Sequence, residues 1–109
     1  MARQRKSSLA KEIERIIPIL KGMGAEKIVL FGSFLKNRVN PGSDLDIIVV
    51  LDTDKKFLDR LDEIYKKINP SVAVDILVYT PREFKKMKEV NPFVIRALKE
   101  GKVLYGAGS

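Results

Sequence analysis

Leu9, Ile13, Ile16, Ile17 and Leu20 recur at three- and four-residue spacing, so residues 9–22 read as an amphipathic helix. Pro18 falls inside that stretch and should kink or interrupt it, and Gly22 and Gly24 should end it. The period then changes. Lys27 to Phe31 is a short apolar run, a first strand, and Gly32-Ser33 follows at once. Residues 34–43 form a connection carrying the turn signal Asn40-Pro41-Gly42-Ser43. Asp44 to Leu51 is a second strand, apolar on both faces beyond Asp46, which predicts a central, covered position. Phe57, Leu58, Leu61, Ile64, Tyr65 and Ile68 return to helical spacing, with Thr53 or Asp54 as the expected cap and Asn69-Pro70 as the stop. Val72 to Tyr79 is a third strand, β-branched and apolar except for Asp75. Thr80-Pro81-Arg82-Glu83 is a capping box that opens a helix to about Val90. Asn91-Pro92 starts another, carrying Phe93, Val94 and Leu98, and Gly101 ends it before a short strand at Val103-Leu104-Tyr105.

The predicted fold is α/β (α+β): a small mixed sheet of three to four strands with helices packed mainly on one side. The expected domain spans residues 9–105, between a basic tail at 1–8 and a C-terminal tail at 106–109. A length of 109 residues suits one domain with one core. No apolar run approaches the ~18 residues of a membrane span, and no apolar signal core follows the basic start. The expected protein is cytoplasmic, with no membrane partner.

Composition narrows the chemistry. There is no cysteine and no histidine. Disulfides, thiolate sites, imidazole ligands and histidine general bases are therefore excluded. Any metal must be held by oxygen, which favours a hard cation such as magnesium. The net charge of +7 should attract polyanions: nucleic acid, nucleotides or an acidic protein. A solvated lysine-rich surface explains the same charge equally well.

Within this frame one constellation carries chemistry. Asp44 and Asp46 lie two apart at the start of a strand, so their side chains share a face. Two adjacent carboxylates repel each other unless a cation lies between them. If the second and third strands are neighbours, Asp75 reaches the same spot. Three carboxylates make an oxygen-only site suited to two magnesium ions about 3.5–4 Å apart, completed by the phosphates of a nucleoside triphosphate. Gly32 and Ser33 follow a strand, where glycine permits close backbone approach and the serine hydroxyl can hold a phosphate. Lys36 and Arg38, in the connection between the two motifs, could meet the triphosphate or the departing pyrophosphate. Singly these features are ordinary: Gly32-Ser33 a turn, Asp44-Leu45-Asp46 a strand cap, Asp75 a partner for an edge lysine, Lys36 and Arg38 solvated loop residues. Their combination is more specific.

Leu30-Phe31-Gly32-Ser33, then Ser43-Asp44-Leu45-Asp46-Ile47-Ile48-Val49, then Val74-Asp75-Ile76-Leu77-Val78-Tyr79, resembles the DNA polymerase β-like nucleotidyltransferase superfamily, and within it the small minimal nucleotidyltransferase group. The resemblance extends over roughly residues 9–105. It implies that Gly32 and Ser33 hold the triphosphate, that Asp44 and Asp46 bind metal, and that Asp75 is the third catalytic carboxylate. It further implies transfer of a nucleotide, AMP from ATP, onto a hydroxyl. Members of the group are often paired with a HEPN-domain toxin, and some act as antitoxins that attach AMP to a tyrosine of that partner. Many relatives carry Ala-Arg-Gly soon after the Gly-Ser, where this chain has Leu35-Lys36-Asn37-Arg38 and keeps the basic charge. Larger enzymes of the superfamily hold the acceptor with a second domain, for which 109 residues leave no room, so the acceptor is expected to dock on an exposed site or to be presented by a second chain. Two other readings compete. A catalytically inactive module would neutralise a protein or RNA by contact alone. A nucleic-acid-binding domain is not favoured, because the best-defined site is acidic and no basic–aromatic stacking motif is present.

Overall fold

The computed structural model describes residues 2–32 and 45–106, with side chains from Ser8 onward. Within these residues the order is α1 (Ala2–Gly22), β1 (Ala25–Phe31), β2 (Leu45–Leu51), α2 (Phe57–Ile68), β3 (Val74–Tyr79), α3 (Pro81–Val90), α4 (Pro92–Glu100) and β4 (Lys102–Tyr105). The strands form one mixed sheet in the order β3-β2-β1-β4. β2 and β3 run parallel, joined through α2, and β1 is antiparallel to both β2 and β4. The mixed α+β class expected from the sequence is the class observed.

The helices divide between the two faces of the sheet, where the expectation placed them mainly on one side. α1 and α2 cover one side of the sheet, over Ile28, Leu30, Ile47, Val49, Ile76 and Val78. α3 and α4 cover the other, where Phe84, Val94 and Ala97 meet Val29, Ile48 and Val50. The reason lies in β2. Its side chains alternate between the two faces, and Ile47, Ile48 and Val49 are each no more than 1% exposed, so both faces need a helical layer. Burying each such side chain contributes about 1.5–3 kcal/mol.

Several local expectations change for identifiable reasons. The basic segment expected as a tail is helical from Ala2 onward. Its Arg, Gln and Lys residues are good helix formers, and only the apolar stripe stops at Leu9. Pro18 does not end α1; it and Glu14, whose carbonyl loses its N–H partner, both lie on the exposed side. α2 starts at Phe57 and has no side-chain cap, because the Thr53 hydroxyl instead accepts from the Lys55 N–H at 3.1 Å in a local turn. The Thr80–Glu83 capping box forms as expected, and the Asn91 side chain caps α4 by accepting from Phe93 and Val94.

Two polar clamps tie the helices to the parallel strands. Glu12, 5% exposed on α1, accepts from Arg15 Nε and Nη2 at 2.8 Å and from the Ser71 N–H at 2.7 Å. Arg15 also donates to the Ile68 carbonyl at 2.7 Å, so α1 grips the connection that leads into β3. The buried Arg60 joins α2 to α3: it donates to the Lys55 carbonyl at 2.6 Å, to Glu83 at 2.7 Å and to the Val78 carbonyl at 3.3 Å. The Arg15 guanidinium holds the Glu12 carboxyl at about 2, well below its usual 4.5. A depressed carboxyl pKa stabilises the fold above the unfolded value, and that contribution disappears as pH falls towards the folded value. Glu12→Gln should therefore cost about 1.5–3 kcal/mol at pH 7, the range for a charge-assisted hydrogen bond. The gap from wild type should narrow between pH 4.5 and about 2. Urea denaturation across that range checks this, and a gap independent of pH would refute the clamp's ionic character.

Candidate active site

Three of the residues singled out from the sequence, Gly32, Asp46 and Asp75, fall within the described structure. Ser33, Lys36, Arg38 and Asp44 lie outside the described residues. The parallel register pairs Asp46 of β2 directly with Asp75 of β3, and the antiparallel register pairs Asp46 with Phe31 of β1. Equivalent positions in adjacent strands point the same way, so both carboxylates stand on the α3–α4 side of the sheet. They share a cavity of about 350 Å³ with Phe31, Leu77 and Phe93.

Each part of this arrangement has a local cause. Asp46 is the only charged residue in β2 and sits one residue from its start, where the apolar layers end. The ladder continues past β3, since the Leu45 N–H donates to the Ala73 carbonyl at 3.1 Å. The Tyr65 hydroxyl donates to the Val74 carbonyl at 2.6 Å, fastening β3 one residue before Asp75. Burial pushes the Tyr65 hydroxyl pKa up, with a smaller push from the nearby Asp75 charge, so it stays a proton donor.

Gly32 closes the other flank. Its φ is +82°, in the left-handed region, and a Cβ there would stand 2.3 Å from Asp46 Oδ2. A residue with any side chain would therefore be strained and would displace the carboxylate. The glycine places bare backbone against Asp46 at the point where β1 ends.

The apolar wall of the cavity was not read as functional from the sequence. The sequence places Phe31 at the end of an apolar strand and Phe93 on a helix with Val94 and Leu98. Phe93 is instead 51% exposed and meets Phe31 edge-on, with ring centroids 5.4 Å apart at 85°. Its position at the start of α4, off the Val94–Ala97 face, was the available signal.

A family model of the nucleotidyltransferase domain matches residues 11–105. The chain belongs to the nucleotidyltransferase family. It is an enzyme that transfers nucleotidyl groups. A protein of Methanocaldococcus jannaschii named "putative protein adenylyltransferase" is 37% identical over 75 residues, which cover 62% of this chain and 75% of that protein. No solved structure gives a significant match. Nucleotidyltransferases of this family generally use a nucleoside triphosphate and a divalent metal. The donors in the cavity fit such an ion: two carboxylates in lateral register supply only oxygen, and like charges so placed favour a hard cation between them. Among the described residues no third metal-ligating side chain joins them. No described helix is long and apolar enough to cross a membrane.

Gly32→Ala tests the geometry. The left-handed φ alone should cost about 1–2 kcal/mol, and the displaced Asp46 should abolish nucleotidyl transfer. Gly22→Ala is the control: its Cβ would meet nothing within 4 Å, so stability and activity should hold. Melting temperature and pyrophosphate release report the two effects, and a fully active Gly32→Ala enzyme would remove the close approach from the argument.

Proposed function

We infer that the protein transfers AMP from ATP to a hydroxyl of a second protein, a tyrosine of a HEPN-domain toxin, and serves as the antitoxin of that pair. The observation that carries this reading is the lateral pairing of Asp46 with Asp75, flanked by Gly32, in a nucleotidyltransferase domain. The choice of AMP and of a protein acceptor is supported by the name of the archaeal relative. The toxin partner rests on the resemblance to the minimal nucleotidyltransferase group. The cytoplasm, where ATP and magnesium are plentiful, is the proposed compartment.

The proposed chemistry assigns each residue a task. Asp44, Asp46 and Asp75 would hold magnesium, two ions in this reading. Those ions, when bound, would neutralise phosphate charge and make the acceptor hydroxyl more acidic. Gly32 and Ser33 bind the triphosphate, through backbone N–H groups and the serine hydroxyl. Lys36 and Arg38 would meet the triphosphate or stabilise the leaving pyrophosphate through their charge. The acceptor oxygen attacks the α-phosphorus in line, the bond to pyrophosphate breaks, and the hydroxyl proton passes to solvent. Positioning and charge stabilisation suffice for this transfer, so a chain without histidine can perform it.

Incubation with labelled ATP, magnesium and a HEPN-domain protein from the same genome tests the reading. The partner should gain one AMP on a tyrosine, and pyrophosphate should be released. Ser33→Ala should slow transfer. Asp44→Ala combined with Asp46→Ala, or Asp75→Asn alone, should abolish it while leaving partner binding intact. A wild-type protein that neutralises its partner equally well without triphosphate, and leaves the partner's mass unchanged, would establish a contact-only module instead.

A further inference from the structure

The cavity that holds Asp46 and Asp75 has a second half that phosphate and metal chemistry does not use. Phe31, Leu77 and Phe93 line it, and no polar side chain other than the two carboxylates does so among the described residues. Phe31 is the cross-strand neighbour of Asp46, and the Phe93 ring stands against Phe31. The apolar wall is therefore continuous with the carboxylates. An edge-on pair leaves a ring face available, and Phe93 is 51% exposed where Phe31 is only partly so. The exposed Phe93 ring adjoins the carboxylates across one cavity, so a flat ligand group held there would bury it.

We propose that Phe93 is the nucleobase platform of this enzyme, and that the site selects purine over pyrimidine nucleotides by stacking area. The proposal rests on the reading that the carboxylate cavity holds the nucleoside triphosphate. A triphosphate gripped at Asp46 and Asp75 carries its flat, apolar group on the α-phosphate side, and Phe93 supplies a flat, apolar surface next to those carboxylates. Base–aromatic stacking is tolerant of base identity because every base has a π-face. Among the described residues the wall offers a base only the apolar side chains of Phe31, Leu77 and Phe93. Stacking of this kind accepts adenine and guanine alike and holds the smaller pyrimidines less well.

Calorimetric binding with magnesium, in the absence of any acceptor, tests this with ATP, GTP, CTP, UTP and inorganic tripolyphosphate. Wild type should bind ATP and GTP with affinities within about threefold of each other, and both about three- to tenfold more tightly than CTP or UTP. Phe93→Ala and Phe93→Leu should each weaken ATP and GTP about tenfold and leave tripolyphosphate unchanged. Phe93→Leu keeps most of the apolar volume against Phe31, so its folding is preserved. The chain contains no tryptophan, so Phe93→Trp adds a single fluorophore that purine nucleotides should quench and tripolyphosphate should not. Unchanged ATP affinity in Phe93→Ala and Phe93→Leu overturns the proposal, as does ATP binding more than about tenfold tighter than GTP. Slower transfer in those variants with normal nucleotide affinity also overturns it and assigns the ring to the acceptor. If wild type binds neither ATP nor tripolyphosphate, the carboxylate-site reading itself fails and takes this proposal with it.

Discussion

Two parallel strands can be held in one lateral register only if something outside the pair fixes their relative position. Here β2 and β3 must pair so that Asp46 lies beside Asp75. A slip of one residue would turn Asp75 to the face that carries Val74 and Ile76, inside the apolar layer under α1 and α2. The surroundings oppose that slip from several directions. β2 is apolar on both faces and locked by two helical layers. The α2 crossover delivers β3 through a connection gripped by Glu12 and Arg15. Tyr65 fastens β3 at Val74, and Arg60 fastens its other end at Val78 while reaching Glu83 on α3.

This division of labour separates stability from chemistry in space. The ionic contacts that secure the fold are built from Glu12, Arg15, Arg60 and Glu83, and none of these lines the carboxylate cavity. Arg60 and the Thr80 N–H keep the Glu83 carboxyl below its usual range, so α3 stays anchored as a neutral solution becomes mildly acidic. The cavity has its carboxylates on one side and aromatic surface on the other. It offers a charged ligand and a flat ligand adjacent places on one sheet face.

Much of this was legible in the sequence because the relevant signals are local. An apolar run at both parities marks β2 as an inner strand, and the aspartates at its start, Asp44 and Asp46, mark the edge of the apolar layers. The Thr80–Glu83 box and Asn91-Pro92 mark two helix starts. What was not legible is relational. The stripe on a helix tells which of its faces is buried, but it does not tell which side of the sheet that face meets, so the even division of helices is visible only in the structure. The sequence places Phe93 on the same helix as Val94 and Leu98, and only the tertiary position shows that Val94 is buried while Phe93 lies on the flank. Residues 33–44 carry four of the seven candidate site residues, and they have no apolar period from which to read a conformation.

The β1–β2 ladder is irregular at only one end. Its register shifts between Ala25 and Lys27, and from Lys27 to Phe31 the pairing advances one residue at a time towards Asp46. The extra length in β1 is thus taken up at the end of the sheet away from the carboxylates. This gives the strand an asymmetric tolerance to change in length. One residue gained or lost near Glu26 can be absorbed where the ladder is already uneven. The same change beyond Val29 would exchange inside for outside, sending the Phe31 ring to the opposite face and moving Gly32 from the flank of Asp46. Over evolutionary time the two ends of β1 should therefore drift at different rates, with insertions and deletions accumulating at the start of the strand and excluded from its last three residues.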